Sequence, residues 1–310
     1  MKRVLILLST YNGEKYLREQ LDSLYAQVGV EFHILVRDDG SSDNTVAILE
    51  EYNQKHSNIT TITGNNLRAI RSFYALINYT LENRLIYDYY AFCDQDDVWK
   101  PNKLEDAIAQ IEKSKSNRAF YFCAAEYVDS DLNHIGVKYI PDKGDYKSAI
   151  IRNYSLGCTI VLTKQLFFEC SEASQTYQKR ISVGYIPYHD VWFYSYALCT
   201  KATVIYDSNS HILYRQHSSN VTHASKNMYK RLWLAYKSQK RVRNSHEQLA
   251  GLLLKTGQIN DKDVIRYLTD ISEYRKTIRN TIQLFFNIDT SSCNKLDSFL
   301  WRMLVLLHRF

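Results

Sequence analysis

The stretch that decides the fold is YDYYAFCDQDDVWKP, residues 87–101. Its first half, Tyr87–Cys93, is mostly apolar and has the length of a buried strand. Its second half sets Asp94, Asp96 and Asp97 directly after that run. Like charges this close repel, and carboxylates are among the side chains a fold buries least willingly. A positive charge is therefore expected among them. Hard carboxylate oxygens two residues apart at a strand end can share one Mg²⁺ or Mn²⁺, which completes its shell with water and phosphate oxygens. A nucleoside diphosphate is the natural second half of such a site. The plainer account is that one or two of these acids cap a helix at Asn102, with Asp97-x-x-x-Pro101 as the turn into it.

Upstream, strand and helix patterns alternate. Val4–Ser9 is a continuous apolar run, as a strand buried on both faces requires. Glu14–Gln27 carries Leu17, Leu21 and Leu24 at helical spacing, and Phe32–Val36 is the next strand. A helix over Thr45–Tyr52, a strand over Ile59–Thr63 and a helix over Leu67–Asn83 precede the strand Tyr87–Cys93, and a helix over Asn102–Lys113 follows it. This order with short connections predicts an α/β fold with a mostly parallel, doubly wound sheet and helices on both faces. Ligands of such sheets bind at the carboxyl ends of the strands. Three polar clusters fall there: Thr10-Tyr11-Asn12, Asp38-Asp39 and Asp94–Asp97. The Asp38-Asp39-Gly40-Ser41 cluster is equally an ordinary turn composition.

Beyond residue 115 the order loosens. Ala119–Ala124, Thr159–Thr163 and Ala202–Tyr206 read as strands, and Asp190–Leu198 as a helix. From about Lys226 the chain turns helical, which places a boundary near residue 224 between a main domain, 1–224, and a C-terminal extension, 225–310. Ten glycines and three prolines leave little room for linkers. Lys226 to Arg243 holds seven basic residues and no acidic one. That run is either a solvated helix face or a contact for anionic lipid or phosphate. Leu296–Leu307 is a second apolar helix, which packs on the main domain or lies on the inner leaflet. The six cysteines show no Cys-x-x-Cys pair, as in a reduced, cytoplasmic protein. The N-terminal apolar run is too short for a signal peptide, and none reaches the roughly 20 residues of a spanning helix.

Taken together, the clusters resemble the family 2 glycosyltransferases, inverting enzymes of the GT-A fold. The likeness runs through Leu7-Ser9-Thr10-Tyr11-Asn12-Gly13, Arg37–Asp43, Asp94-Gln95-Asp96-Asp97-Val98-Trp99, His189-Asp190-Val191-Trp192 and Tyr214-Arg215-Gln216-His217. Within the family, DQDD-x-W, HD-x-W and YRQH are most similar to bacterial polysaccharide rhamnosyltransferases. The resemblance implies that Thr10, Tyr11 and Asn12 line the base pocket, with Tyr11 stacking on the ring. Asp39, with Asp38 beside it, would accept the N3–H of uracil or thymine, and Asp94 would lie toward the ribose. Asp96 and His217 would ligate Mn²⁺ or Mg²⁺, and Asp190 would be the catalytic base. Arg215, Gly157 and Trp192 would stand near diphosphate or acceptor. Relatives often read Asn-Leu-Gly where this chain has Asn66-Leu67-Arg68, and Arg68 or Arg71 would face the diphosphate.

The implied donor is a dTDP- or UDP-linked sugar, L-rhamnose or a hexose such as galactose or glucose. The implied acceptor is a lipid-linked oligosaccharide of a bacterial surface polysaccharide, such as O-antigen, and no nucleic acid is implied. On residues alone Asp190 is also a fitting helix N-cap, His217 a surface histidine and Gly157 a turn glycine. A nucleotidyltransferase would usually carry a glycine-rich phosphate loop, and Ser9–Gly13 is not one. A receiver-type signalling domain would be far shorter and would leave Asp190 and His217 unexplained. An inactive sugar-nucleotide-binding relative would not be expected to retain both Asp96 and Asp190.

Overall fold

Alternation along single strands divides the core into two layers. In strand β1 (Arg3–Thr10), Val4, Ile6 and Leu8 enter one apolar cluster while Leu5 and Leu7 enter the other. The same split recurs in β4 (Tyr89–Cys93), where Tyr89, Ala91 and Cys93 face away from Tyr90 and Phe92. Both faces are therefore covered, which is why these strands read as unbroken apolar runs.

The computed structural model describes residues 1–138, 140, 142–178, 186–216, 245–290 and 295–308. Helices α1 (Leu17–Tyr25), α2 (Thr45–Lys55) and α4 (Lys103–Lys113) cover the face of Val4 and Ile6. Helices α3 (Arg68–Glu82), α5 (Tyr146–Ile151), α6 (Lys164–Gln178) and α7 (His189–Cys199) cover the other. The remaining strands are β2 (Glu31–Asp38), β3 (Ile59–Thr63), β5 (Val98–Trp99), β6 (Ala119–Val128), β7 (His134–Lys138), β8 (Val161–Thr163) and β9 (Thr203–Arg215). They form a sheet in the order β3-β2-β1-β4-β8-β6-β9-β5, with β7 paired to β6.

Strands β3, β2, β1 and β4 are mutually parallel, as the alternating pattern requires. Beyond β4 the sheet is mixed: β8 runs antiparallel to β4 and β6, and β9 is parallel to β6 but antiparallel to β5. Strand β9 extends well past the expected Tyr206. Its polar centre stays in the sheet because Tyr121 Oη donates to Asp207 and Ser210 Oγ accepts the Glu126 N–H, both at 3.0 Å, where the β6–β9 register shifts.

The helices Ser245–Lys255, Lys262–Glu273, Ile278–Asn287 and Lys295–Leu306 follow. Their Leu249, Leu268, Leu284 and Val305 join the apolar cluster that holds Phe92 and Trp192. The expected boundary at 224, the basic run Lys226–Arg243 and His217 lie outside the described residues. Among the described residues no helix is long and apolar enough to cross a membrane. Cys93, Cys123, Cys158, Cys170 and Cys199 are free and buried.

Candidate active site

Parallel pairing brings the carboxyl ends of β1, β2 and β4 together. Thr10 stands opposite Asp38, and Leu8 opposite Cys93, one residue before Asp94. The middle residue of Asp94-Gln95-Asp96 fastens this junction. Gln95 Oε1 accepts the Thr10 hydroxyl at 2.7 Å and the Tyr11 N–H at 2.8 Å, while its Nε2 donates to the Tyr11 carbonyl at 3.2 Å. A Cβ on Gly13 would lie 2.5 Å from that oxygen, so any larger residue there would displace the Gln95 side chain from these bonds. Thr10 is thus buried and committed to Gln95, whereas Tyr11 is 45% exposed. Asn12 Oδ1 accepts the Ser42 N–H at 2.8 Å and ties the β1 loop to the turn after β2.

That turn is held by its own acids. Asp38 accepts the N–H groups of Gly40 and Ser41 at 3.2 and 3.0 Å and the Ser41 hydroxyl at 2.5 Å. Asp39 pairs with Arg37 and accepts the backbone N–H groups of Leu67 and Arg68, each at 2.8 Å, at the start of α3. Arg68 has φ +67°, the left-handed backbone that glycine favours. The non-glycine residue there is accommodated because Asp39 holds its N–H. Arg71 is exposed on the first turn of α3.

The acidic turn does not cap a helix. Strand β5 intervenes, and α4 starts behind Asn102 with no side-chain cap. Asp97 is 1% exposed, and its Oδ1 accepts the backbone N–H of Arg215 at 3.1 Å. Its Oδ2 has no hydrogen-bond partner among the described residues. One oxygen each of Asp94 and Asp97 and the Cys158 sulfur lie within 4.8 Å of one another. Burial, then the neighbouring carboxylates, raises the pKa of both Asp94 and Asp97. A crowded pair, Asp97 buried with an orphaned oxygen and Asp94 half-buried, fits a divalent cation at this turn. Asp96 is half-buried beside them and is not a member of that trio.

The Arg215 side chain is turned inward. It is 1% exposed; its Nε donates to the Asp96 carbonyl at 2.9 Å, and its other nitrogens reach the Ser130 carbonyl and Glu19. Its guanidinium lies 4.3 Å from the Tyr16 ring centre. Trp192 is likewise turned inward: it is fully buried, and its Nε1 donates to the Cys170 carbonyl at 3.0 Å. Gly157 opens a 3₁₀ turn, Gly157–Thr159, against His189. A Cβ there would meet His189 Nε2 at 2.6 Å, so this glycine makes room for the imidazole. His189 packs on Phe73 and Phe92 at 3.9 and 4.6 Å between ring centres. Neither of its ring nitrogens has a hydrogen-bond partner among the described residues. Burial pushes its pKa down to about 3, so the ring is neutral.

Asp190 sits in the first turn of α7, whose N-cap is Tyr188. Its Oδ1 accepts the Val191 N–H and its Oδ2 the Asn153 amide, both at 2.8 Å. Burial raises its pKa to about 6, against the opposing effects of the Val191 N–H, Lys138 and Asn153. Its charge adds to burial and Asp96 in raising the pKa of Asp94, so the carboxylates after β4 and at the start of α7 act on one another. A carboxylate with its pKa raised to about 6 beside the acidic turn can take a proton from a hydroxyl.

The family model for glycosyl transferase family 2 matches residues 5–170. The chain belongs to that family. This glycosyltransferase is 30% identical over 262 residues to the dTDP-rhamnosyl transferase RfbG of Shigella flexneri, covering 82% of its own length and 87% of the relative's. It is also 30% identical over 165 residues to WfgD of Escherichia coli, a UDP-Glc:alpha-D-GlcNAc-diphosphoundecaprenol beta-1,3-glucosyltransferase, over 53% of this chain and 61% of that one. Its fold is that of S. aureus TarS 1-349 in complex with UDP-GlcNAc: TM-score 0.56, 17% identity, 94% of this chain and 77% of that one.

Four residues of the transferase site escaped the motifs. Gln95 lies inside one but reads as a spacer. Asn153 and Lys138 carry no spacing signal, although Asn153-Tyr154-Ser155 has the composition of an asparagine turn. Lys103 is fully buried, with Nζ 3.4 Å from the Trp99 ring centre. Burial lowers its pKa, against the opposing pull of Cys123, Cys158, Cys93 and Asp97, so this amine lies close to the acidic turn.

Proposed function

We propose that the enzyme moves L-rhamnose from dTDP-rhamnose to a hydroxyl of a growing, lipid-linked bacterial surface polysaccharide, with inversion at the anomeric carbon. The observation that carries the reading is the convergence of Asp190, poised near neutrality, on the Asp94–Asp97 turn. The 30% identity to a dTDP-rhamnosyl transferase over most of both chains supports rhamnose as the sugar. The match to a UDP-Glc-dependent glucosyltransferase favours UDP-glucose as the second reading.

The nucleotide would lie over the ends of β1 and β2, with Tyr11 stacked on the base. Thr10, Asn12, Asp38 and Asp39 would shape the pocket, with Arg71 and Asp94 at its rim. The acceptor oxygen attacks the anomeric carbon, the bond to the diphosphate breaks on the opposite face, and the proton passes to Asp190. Such a base typically contributes ~10²–10⁴-fold. Asp96, with His217, would hold Mn²⁺ or Mg²⁺, which supplies stabilisation of the charge gathering on the leaving diphosphate. Peripheral contact with the inner leaflet would present the acceptor. In support, Ile278, Ile282 and Phe286 leave an apolar stripe exposed on one helix and Phe299 is exposed on the next. Failure to sediment with phosphatidylglycerol vesicles at low salt would remove that contact.

Calorimetric titration with TDP and UDP, with and without Mn²⁺, tests the donor half. Tighter binding of TDP, dependent on Mn²⁺ and lost in Asp96→Ala, is the expected result. Preference for UDP would favour the glucose reading, and no binding of either nucleotide would overturn the nucleotide-sugar reading.

A further inference from the structure

The residues that hold Asp190 belong to no recognised motif. Asn153 follows α5 in the loop leading to the 3₁₀ turn. Its Oδ1 accepts the Ser155 N–H at 3.1 Å and the Ser155 hydroxyl at 2.8 Å. A backbone N–H can only donate, so the amide oxygen must face Ser155 and the amide nitrogen must face outward. That nitrogen donates to Asp190 Oδ2 at 2.8 Å. The same turn is gripped from the other side, where Lys138 Nζ donates to the carbonyl of Tyr154, the residue between, at 3.1 Å. The other oxygen of Asp190 takes the N–H of Val191 on its own helix. The carboxylate is thus fixed at both oxygens, by the α5 loop and α7, while β7 braces that loop.

We infer that Asn153 and Lys138 are positioning residues for the general base: the asparagine turn aims the Asp190 carboxylate, and the lysine braces that turn and keeps the carboxylate charged. The inference rests on the reading of Asp190 as base. The charged groups around Asp190 set the sign. Lys138 favours its ionised form, while Asp94 from the β4–β5 turn opposes it. Arg152 and the Cys158 thiol act on Lys138, and His189, next in the chain, is neutral. Lys138 is itself depressed to about 8 by burial, against the pull of Asp190. Removing either support leaves burial to dominate, so Asp190 should take its proton at higher pH.

The Val191 amide, bonded directly to Asp190, reports the ionisation without any substrate. In metal-free protein labelled with ¹⁵N-valine, its shift should titrate with a midpoint near about 6 in the parent and lose that step in Asp190→Asn. Lys138→Met and Asn153→Ala should each raise the midpoint by about one unit, a roughly tenfold loss of ionised base well below it. Lys138→Arg should restore the parent value. The remaining valine amides verify folding, and Asn153→Ser serves if the alanine variant does not fold. Midpoints unchanged in both the lysine and the asparagine variants would overturn the inference. Retained glycosyl transfer in Asp190→Asn would instead overturn the base assignment, which is a separate measurement.

Discussion

The backbone N–H of Arg215 donates to Asp97 Oδ1 at 3.1 Å, joining residues 118 apart in the chain. The side chain of the same arginine runs under the turn to the Asp96 and Ser130 carbonyls and to Glu19. The end of β9 is therefore the underside of the acidic turn. Arg215→Met keeps the backbone bond but strands two carbonyls and a carboxylate. Glu19 is half-exposed and regains water, so the cost should be roughly 1–3 kcal/mol, dominated by the two part-buried carbonyls. Chemical denaturation checks the stability. Mn²⁺-dependent nucleotide affinity should fall as well, because Asp96 loses its anchor.

Transfer should follow the ionised form of Asp190. With its pKa raised to about 6, turnover is flat above neutrality and declines as pH falls through that value. In the limit the fall approaches tenfold per pH unit, because only the deprotonated carboxylate accepts the hydroxyl proton. A rate profile between pH 4.5 and 8.5 at saturating donor checks this, and Asp190→Asn should lower turnover by ~10²–10⁴-fold while retaining nucleotide binding.

Gly157→Ala should damage the site through His189. The new methyl would stand 2.6 Å from Nε2, and the imidazole is boxed in by Phe73 and Phe92. Overpacking of this kind costs roughly 1–3 kcal/mol. The double variant Gly157→Ala, His189→Ala should recover part of that loss, and a double-mutant cycle measures the coupling.

Trp192→Phe separates packing from ligand contact. It removes the indole donor to the Cys170 carbonyl and shrinks a fully buried ring, a loss of roughly 1–3 kcal/mol, while titrations with TDP and UDP should match the parent protein.

Arg68→Gly tests the left-handed position at the start of α3. Relief of the backbone should stabilise the fold by about 1 kcal/mol. If the guanidinium contacts the diphosphate, the same variant binds nucleotide more weakly, and calorimetry reads both effects.

The parallel half of the fold was legible because its central strands β1 and β4 are buried on both faces and its helices show an apolar stripe. That is why Val4–Leu8 and Leu17, Leu21 and Leu24 needed no tertiary information. The mixed half was not. Strand β5 is two residues long, and β9 passes through Asp207 and Ser210, whose partners lie on another strand. Motif spacing located the pocket but not the direction of each side chain. Trp192 and Arg215 are near the site in sequence and face inward in space. Asn153 and Lys138 contribute through contacts whose partners are distant in sequence, which a single sequence does not display.

The late arrival of β9 has a consequence for biosynthesis. Strands β1 to β4 can pair as soon as they leave the ribosome, but among the described residues β5 pairs with β9 alone, through Val98–Leu213 and Trp99–Ile212. Until residue 215 emerges, Asp97 has no backbone donor from the last strand and its carboxylate stays in water. Long-range closure of this kind is slow and leaves strand edges open while it waits. Drying of the acidic turn is therefore an end-stage event of folding, and a nascent chain stopped short of β9 would carry most of the family signature without an assembled catalytic pocket.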